Sequence, residues 1–180
     1  MIRKSSGHEL NAVMQNYLEL MIFERRKGNF SRWVSGVFPS QTTLRRAIAK
    51  DELYSIWDDK GSEKKICGAF AMSGELPPEF KGVLWPCRIA AKEAMTVRLL
   101  CVTPLRAREG LATQALHYAM VWGQKRGYKA IRAAVPAGNI PAEKLFAKLG
   151  FTRVCEKMMS LYGDVTENHV LFEIPLEGTR

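Results

Sequence analysis

Residues 95–112 constrain this fold most, because they indicate a strand, a sharp turn and the start of a helix in direct succession. The run Met95–Val102 is apolar and β-branched, and Pro104 ends it because proline cannot donate a hydrogen bond to a sheet. From Gly110 onward the apolar residues recur at helical spacing. The loop between strand and helix therefore brings backbone N–H groups and a helix N-terminus to one place, which predicts an anion-binding cradle.

Two nucleotide-binding patterns place a phosphate at such a turn, and neither fits the sequence. The ATP-type P-loop needs lysine and then serine or threonine after its last glycine, whereas Leu111 and Ala112 follow Gly110. The dinucleotide-binding pattern needs three glycines, and this loop has one. The cradle is therefore expected to bind an anion of another kind.

The length of 180 residues is typical of one domain, so we expect a single domain over residues 1–180. With 47% hydrophobic residues the chain can bury a core, and no apolar run is long enough to span a membrane. The N-terminus carries no apolar segment of the signal-peptide type, so the cytoplasm is the expected compartment. Four cysteines (Cys67, Cys87, Cys101 and Cys155) lack metal-site spacing, which indicates reduced thiols and no bound metal.

The formal net charge of +9 has three explanations. It can reflect a solvated basic surface, attraction for an anionic cofactor or substrate, or a nucleic-acid interface. The basic residues are dispersed in short groups such as Arg25-Arg26-Lys27 and Arg45-Arg46, and no RNA-recognition signature accompanies them. Nucleic acid is therefore the weakest of the three explanations.

Periodicity and turn residues predict an α/β domain with a mixed sheet. Helices are expected from residue 10 to Gly28, from Ser40 to Asp51, from about Gly110 to Gly127, and from Asn139 to Gly150. Strands are expected at 53–57 and 65–72 as a hairpin with its turn at 58–61, then at 95–102 and 129–135, with strand-like pieces at 153–156, 158–162 and 170–174. The segment 31–38 and the segment 74–82 are expected to be loops.

Two motifs follow one another along the chain, the first at residues 102–112 and the second at residues 139–151, and together they resemble the GNAT superfamily of acyl-CoA-dependent N-acetyltransferases. Val102-Thr103-Pro104 through Gly110-Leu111-Ala112 is similar to the family's pyrophosphate loop. Residues 139–151, with Asn139, Leu145-Phe146 and a terminal Gly-Phe, are similar to its second signature, one helix and one strand further along. Shorter stretches upstream are similar to a bacterial branch of uncharacterised acetyltransferases.

The resemblance implies a GNAT-like acyl-CoA N-acyltransferase fold. In such a fold a mixed central sheet splays apart at the cofactor cleft, here between the strand at 95–102 and the strand at 130–135. Helices cover both faces, and the N-terminal helices within residues 6–50 cover the substrate side. Acetyl-CoA is the implied cosubstrate, and no metal is implied.

The resemblance also assigns roles to single residues. The backbone of Leu100, Cys101 and Val102 would pair with the pantetheine arm, and Asn139 would hold that arm, although Asn139 also suits a plain helix cap. Phe146 occupies the position from which many relatives offer a tyrosine to the CoA sulfur. The residues expected around the pyrophosphate are Ala107, Arg108, Glu109, Gly110, Leu111, Ala112 and Thr113.

Two departures from the family affect the chemistry. The loop usually has glutamine or arginine where this chain has Ala107, and Phe146 has no proton to give a departing thiolate. An amine acceptor also needs a base, because an ammonium group cannot attack a carbonyl. Glu75, and after it Glu79, are the candidates for that base, with surface charge in a loop as the other explanation.

The function expected is therefore an acetyl-CoA-dependent N-acetyltransferase that acts directly on a primary amine. One alternative is a CoA-binding regulatory module without turnover, which the departures at Ala107 and Phe146 would fit. A weaker alternative is a basic protein associated with nucleic acid. The expected partner is a small-molecule or peptide amine rather than a membrane, and the oligomeric state is left open, with a homodimer among the options.

Overall fold

The computed structural model describes residues 1–58 and 64–176 and has a mixed α/β architecture. The helices are α1 (Leu10–Arg25), α2 (Gln41–Ala49), α3 (Leu111–Lys125) and α4 (Ile140–Lys148). The strands are β1 (Ile2–Lys4), β2 (Leu53–Asp58), β3 (Lys65–Ser73), β4 (Ala94–Val102), β5 (Ala130–Pro136), β6 (Thr152–Tyr162) and β7 (Val165–Pro175). They form one seven-stranded sheet in the order β1-β2-β3-β4-β5-β7-β6, which confirms the predicted fold class.

The helix starts lie where the sequence placed their caps. The Glu9 carboxylate accepts a hydrogen bond from the Ser6 N–H at 2.8 Å just before α1. The Ser40 hydroxyl accepts from the Thr43 N–H at 3.1 Å at the start of α2. Such caps satisfy N–H groups that have no partner within the helix, so short polar residues at these points predict the boundaries well.

The sheet differs from the expectations at β1, β6 and β7. The strand β1 was not predicted, because its three residues are too few for an alternating pattern. The pieces expected at 153–162 form one continuous strand with register shifts, and β7 begins five residues before the predicted start at 170. Most of the hairpin turn expected at 58–61 lies outside the described residues, although β2 and β3 pair antiparallel as predicted.

The parallel pairing of β4 with β5 is shorter than either strand. It joins Ala94–Thr96 to Ala130–Arg132, while β4 continues to Val102 and β5 to Pro136. A short ladder of this kind is what a sheet that splays at this point requires.

The chain forms two compact units. The first comprises Met1–Met72 and Leu99–Ala115, and the second comprises Ser73–Arg98 and Leu116–Arg180. The prediction of a single domain stays a prediction. No helix in the described part of the chain is long and apolar enough to cross a membrane.

The core of the first unit forms where α1 and α2 pack on the strands. Its fully buried side chains include Val13 and Tyr17 from α1, Leu44 from α2, Leu53 from β2 and Ala69 from β3. Removing these apolar side chains from water is the main stabilising contribution to this packing.

In the second unit the residues 74–93, which we call the connector, are tied to the sheet by a buried ion pair. Arg132 Nε donates to Glu173 Oε1 at 2.9 Å, and both side chains are almost fully buried. The other oxygen of Glu173 accepts from the Cys87 N–H at 2.6 Å, and the Arg132 guanidinium lies over the Trp85 ring. Because a buried charge is costly without partners, these contacts hold the connector in place.

Candidate functional site

The end of β4 has a local backbone feature that the apolar pattern did not indicate. Leu99 adopts a left-handed conformation with φ of 57°, which a branched residue rarely does. Its carbonyl oxygen accepts a hydrogen bond from the Tyr17 hydroxyl at 2.6 Å, and both groups are buried. The contact with α1 therefore fixes the backbone just before Leu100, Cys101 and Val102, the residues expected to pair with the pantetheine arm.

The strand β3 approaches this segment closely at Gly68. A Cβ atom on Gly68 would collide with the Cys101 carbonyl oxygen and crowd the Val102 Cα. The Cys101 side chain is buried, and its thiol donates to the Asn16 carbonyl at 3.5 Å. Burial raises the pKa of Cys101 well above its usual value. Cys101 can therefore offer a ligand only its backbone groups.

Residues 103–113, which we call the cradle loop, connect β4 to α3. The loop is anchored at Thr103, whose N–H donates to the Cys67 carbonyl at 2.8 Å. The Thr103 hydroxyl donates to Glu19 of α1 at 2.6 Å. Both contacts lie within the first unit, so β3 and α1 together set where the loop begins.

Arg106 clasps the middle of the cradle loop. Its guanidinium forms a two-point pair with Glu109, with N–O distances of 2.7 Å, and a second ion pair with Asp58 at the end of β2. These hydrogen bonds, to Glu109 first and then to Asp58, raise the pKa of Arg106. Since two carboxylates share this one guanidinium, the cluster has a formal charge of −1 and Arg106 supplies no net positive charge to the site.

The outer part of the cradle loop is exposed and is bent by two left-handed residues. Ala107, Arg108, Glu109 and Gly110 are all exposed, with φ of 66° at Arg108 and 80° at Gly110. A Cβ atom on Gly110 would meet no described atom within 4 Å. The space beside this backbone is therefore open to a ligand.

Donors are available at the same place. The first bond at the start of α3 runs from the Gln114 N–H to the Gly110 carbonyl at 2.9 Å. The N–H groups of Leu111, Ala112 and Thr113 precede that bond and have no acceptor within the helix. With the positive end of the helix dipole and the exposed Arg108, they suit a pyrophosphate. The cradle loop therefore suits a phosphate group, and its assignment to an acyl-CoA stays a prediction.

The second motif lies in the second unit and is built differently. Asn139 caps α4, because its side-chain oxygen accepts from the Ala142 N–H at 3.2 Å. Phe146 is only 4% exposed. Its ring packs edge-on against Phe151 at 4.7 Å and is stacked with Phe172 at 5.3 Å. Asn139 thus acts as a cap and Phe146 as a core residue, while their contacts with a cofactor stay predictions.

The two candidate bases lie on the connector. Glu75 is exposed just after β3, and its N–H donates to the Ser73 hydroxyl at 3.0 Å. Glu79 accepts from the Ser160 N–H of β6 at 3.1 Å, so its carboxylate has a structural use. Both carboxylates stay candidates for the base, with Glu75 the first choice from the sequence. Within residues 1–58 and 64–176, no group of His, Cys, Asp and Glu side chains is arranged to hold a metal ion.

The sequence did not predict which residues fix the cradle loop. Asp58 is 48 positions from Arg106, and Glu19 is 84 positions from Thr103. Tyr17 fitted the apolar face of α1, which gave no sign of the hydroxyl contact with Leu99. No spacing rule connects such distant residues, so only the folded structure reveals them.

Comparison with known proteins agrees with this arrangement. The family model described as acetyltransferase (GNAT) family matches residues 26–151. An N-acetyltransferase from Staphylococcus aureus has a similar solved structure, with a TM-score of 0.69, 18% identity and 98% of each chain covered. A ribosomal-protein-alanine N-acetyltransferase from Brucella melitensis has a TM-score of 0.67 at 13% identity, covering 98% of this chain and 99% of its own. The comparison with curated proteins finds no match.

Proposed function

The chain belongs to the GNAT acetyltransferase family, and on this premise we propose that it is an acetyl-CoA-dependent N-acetyltransferase acting directly on a primary amine. The proposal rests on the geometry of the cradle loop. Its exposed backbone, its left-handed Gly110 and the N–H groups at the start of α3 suit a pyrophosphate. The loop also follows directly after β4, the strand expected to accompany the acyl-bearing arm.

The cradle loop would bind the donor mainly through its backbone. When bound, acetyl-CoA would supply an acetyl group already activated as a thioester. Leu111, Ala112 and Thr113 would donate their N–H groups to the pyrophosphate, and Arg108 would add a positive charge. The replacement of the usual glutamine or arginine by Ala107 is tolerable, because a backbone cradle does not depend on that side chain.

The segment Leu100–Val102 would place backbone N–H groups beside the thioester carbonyl. An N–H in that position stabilises the negative charge that develops on the oxygen during acyl transfer. Glu75 would accept a proton from the acceptor's ammonium group, which makes the amine nucleophilic. Phe146 cannot donate a proton, and a thiolate whose conjugate thiol has a pKa of about 8.5 can depart and take its proton from water.

Donor binding is tested by calorimetry and thermal unfolding. CoA and acetyl-CoA should bind and stabilise the protein by about 2.7 kcal/mol at a hundredfold excess over Kd, whereas ATP and NAD should stabilise it less. If neither CoA nor acetyl-CoA binds, the cradle loop does not hold a CoA pyrophosphate and the proposal fails.

Transfer is tested by thiol release from acetyl-CoA with a panel of small-molecule and peptide amines. With an accepted amine, Glu75→Gln should lower turnover about a hundredfold, the lower end of what a general base supplies. Glu79→Gln is the matched control and should leave turnover near that of the parent. Tight CoA binding with no transfer to any amine would instead identify the regulatory module considered above.

A further inference from the structure

A long stretch of the first unit carries positive charge without any negative charge. Residues 25–50 contain no aspartate or glutamate. Their seven basic side chains are all exposed: Arg25, Arg26, Lys27, Arg32, Arg45, Arg46 and Lys50. We call this exposed part of residues 22–50 the basic surface. It accounts for much of the net charge of +9 that the sequence left unexplained.

The acidic residue that immediately precedes this stretch points inward. Glu24 is 7% exposed, and its carboxylate accepts from both the N–H and the hydroxyl of Ser31. Its carbonyl oxygen accepts from the N–H groups of Gly28 and Asn29 at 2.9 Å. Glu24 therefore organises the turn after α1 from inside and does not neutralise the charges outside.

Five of these seven basic side chains lie away from the carboxylates that the structure describes. Among residues 1–58 and 64–176, the structure places no carboxylate within ion-pair distance of Arg25, Arg26, Lys27, Arg45 or Arg46. By contrast, Arg106 is neutralised by Asp58 and Glu109 in the same unit. The charge of these five side chains is thus available to a partner.

Apolar side chains are exposed within the same stretch. The exposed fractions are 56% for Ile22, 45% for Phe23, 38% for Val34 and 47% for Val37. The loop that carries the two valines is ordered, since Val34 and Phe38 exchange two backbone hydrogen bonds of 2.9 Å. An ordered surface that combines apolar side chains with unpaired positive charge is typical of an interaction site.

We propose that the basic surface binds an acidic segment of a protein partner that also carries apolar side chains. The charges of such a segment complement those of residues 25–50, and its apolar side chains can cover Ile22, Phe23, Val34 and Val37. A single-stranded nucleic acid suits the surface less well, because stacking of successive bases needs several exposed aromatic faces and, within residues 22–50, Phe23 is the one exposed aromatic ring. Trp33, the large aromatic of this loop, instead packs on Tyr17 with ring centroids 5.3 Å apart.

The test measures the fluorescence anisotropy of a labelled peptide of alternating glutamate and leucine, without any acetyl donor. The parent protein should bind this peptide and should not bind the same peptide with glutamine in place of glutamate. The triple variant Arg25→Gln/Arg26→Gln/Lys27→Gln should bind the acidic peptide about tenfold more weakly, from three exposed charge contacts. The matched control is Lys125→Gln/Lys144→Gln/Lys148→Gln, which removes as much charge from the second unit and should bind like the parent.

Two results would overturn the proposal. One is equal peptide affinity in both triple variants, which would mean that net charge rather than the basic surface attracts the peptide. The other is tighter binding of a single-stranded RNA of equal charge, lost in the first triple variant and with a steep dependence on salt concentration. CoA binding, measured in the same samples, should be the same in all three proteins, so a failure here is separate from a failure of the proposed acetyltransferase function.

Discussion

The two motifs that carry the family resemblance are held in contrasting ways. The cradle loop is exposed, contains two left-handed residues, and is fixed by polar contacts from Asp58 and Glu19. The helix α4 is held by apolar packing, with the Phe146 ring between Phe151 and Phe172. In the first motif the side chains stabilise a backbone that is left open, whereas in the second they fill a core.

This contrast explains which departures from the family pattern the chain can tolerate. A loop that binds through its N–H groups, as proposed for the cradle loop, would depend on its shape, so we expect Ala107 to cost little and Gly110 to be required. A helix that is fixed by packing depends on side-chain volume, so phenylalanine at 146 keeps the packing although it lacks a hydroxyl. Variants in the two motifs should therefore differ in whether they lose stability or affinity.

The largest expected effect is on stability, in α4. Phe146→Ala should lower the free energy of unfolding by about 3–5 kcal/mol, because it empties a buried aromatic site. The matched change in the cradle loop is Leu105→Ala, where the side chain is 87% exposed. That change should stay within about 0.5 kcal/mol of the parent. Urea unfolding measures both, and similar losses in the two variants would contradict the contrast between the motifs.

The next effect is on affinity, in the cradle loop. Gly110→Asp should weaken CoA binding by about tenfold or more, because a side chain and a negative charge would occupy the pyrophosphate position. Gly127→Asp is the matched control, since Gly127 has φ of 78° and open space beside it among the described residues, and it follows the far end of α3. Both variants carry the same backbone strain. Calorimetry that finds equal CoA affinity in the two folded variants would place the phosphate elsewhere.

A smaller effect is expected from the ion pair between Arg106 and Asp58. Asp58→Asn removes one of the two carboxylates that hold Arg106, so the cradle loop should keep its shape less well. We expect the KM for acetyl-CoA to rise up to about fivefold with kcat unchanged, since a partly exposed ion pair contributes at most about 1 kcal/mol. Asp51→Asn, which removes an exposed pair with Lys4, is the control and should change neither constant. A fall in kcat with KM unchanged would argue against a positioning role for Asp58.

The sequence predicts the structure correctly where local pattern decides it. Caps at Ser40 and Asn139 and the helical spacing of apolar residues predicted α2 and α4. The proline at 104 and the glycine at 110 predicted the strand, turn and helix that frame the cradle loop. In each case residues within one or two turns of each other determine the local structure.

The sequence does not predict those parts of the structure that depend on contacts between distant residues. The left-handed Leu99 sits in an ordinary apolar run, and the hydroxyl that secures its carbonyl comes from Tyr17, 82 positions earlier. The ion pair between Arg106 and Asp58 likewise depends on where the end of β2 lies in the folded unit. The inward orientation of Glu24 was also invisible, since its partner Ser31 lies in a loop without periodicity.

The smallest expected effect separates the two roles of Asn139. Its side-chain oxygen caps α4, and its amide nitrogen is the group that could hold the pantetheine arm. Asn139→Ser keeps a capping oxygen and removes the amide, so the free energy of unfolding should change by only a few tenths of a kcal/mol. CoA affinity should fall about twofold to threefold, as expected from one neutral hydrogen bond. Affinity for 3′-phospho-ADP, which lacks the pantetheine arm, should not change.

Calorimetry with both ligands checks this prediction for Asn139, with Asn139→Ala as the variant that loses the cap as well. If Asn139→Ser binds CoA as tightly as the parent while Asn139→Ala is less stable, Asn139 is a helix cap alone and serves the fold of α4 rather than the cofactor.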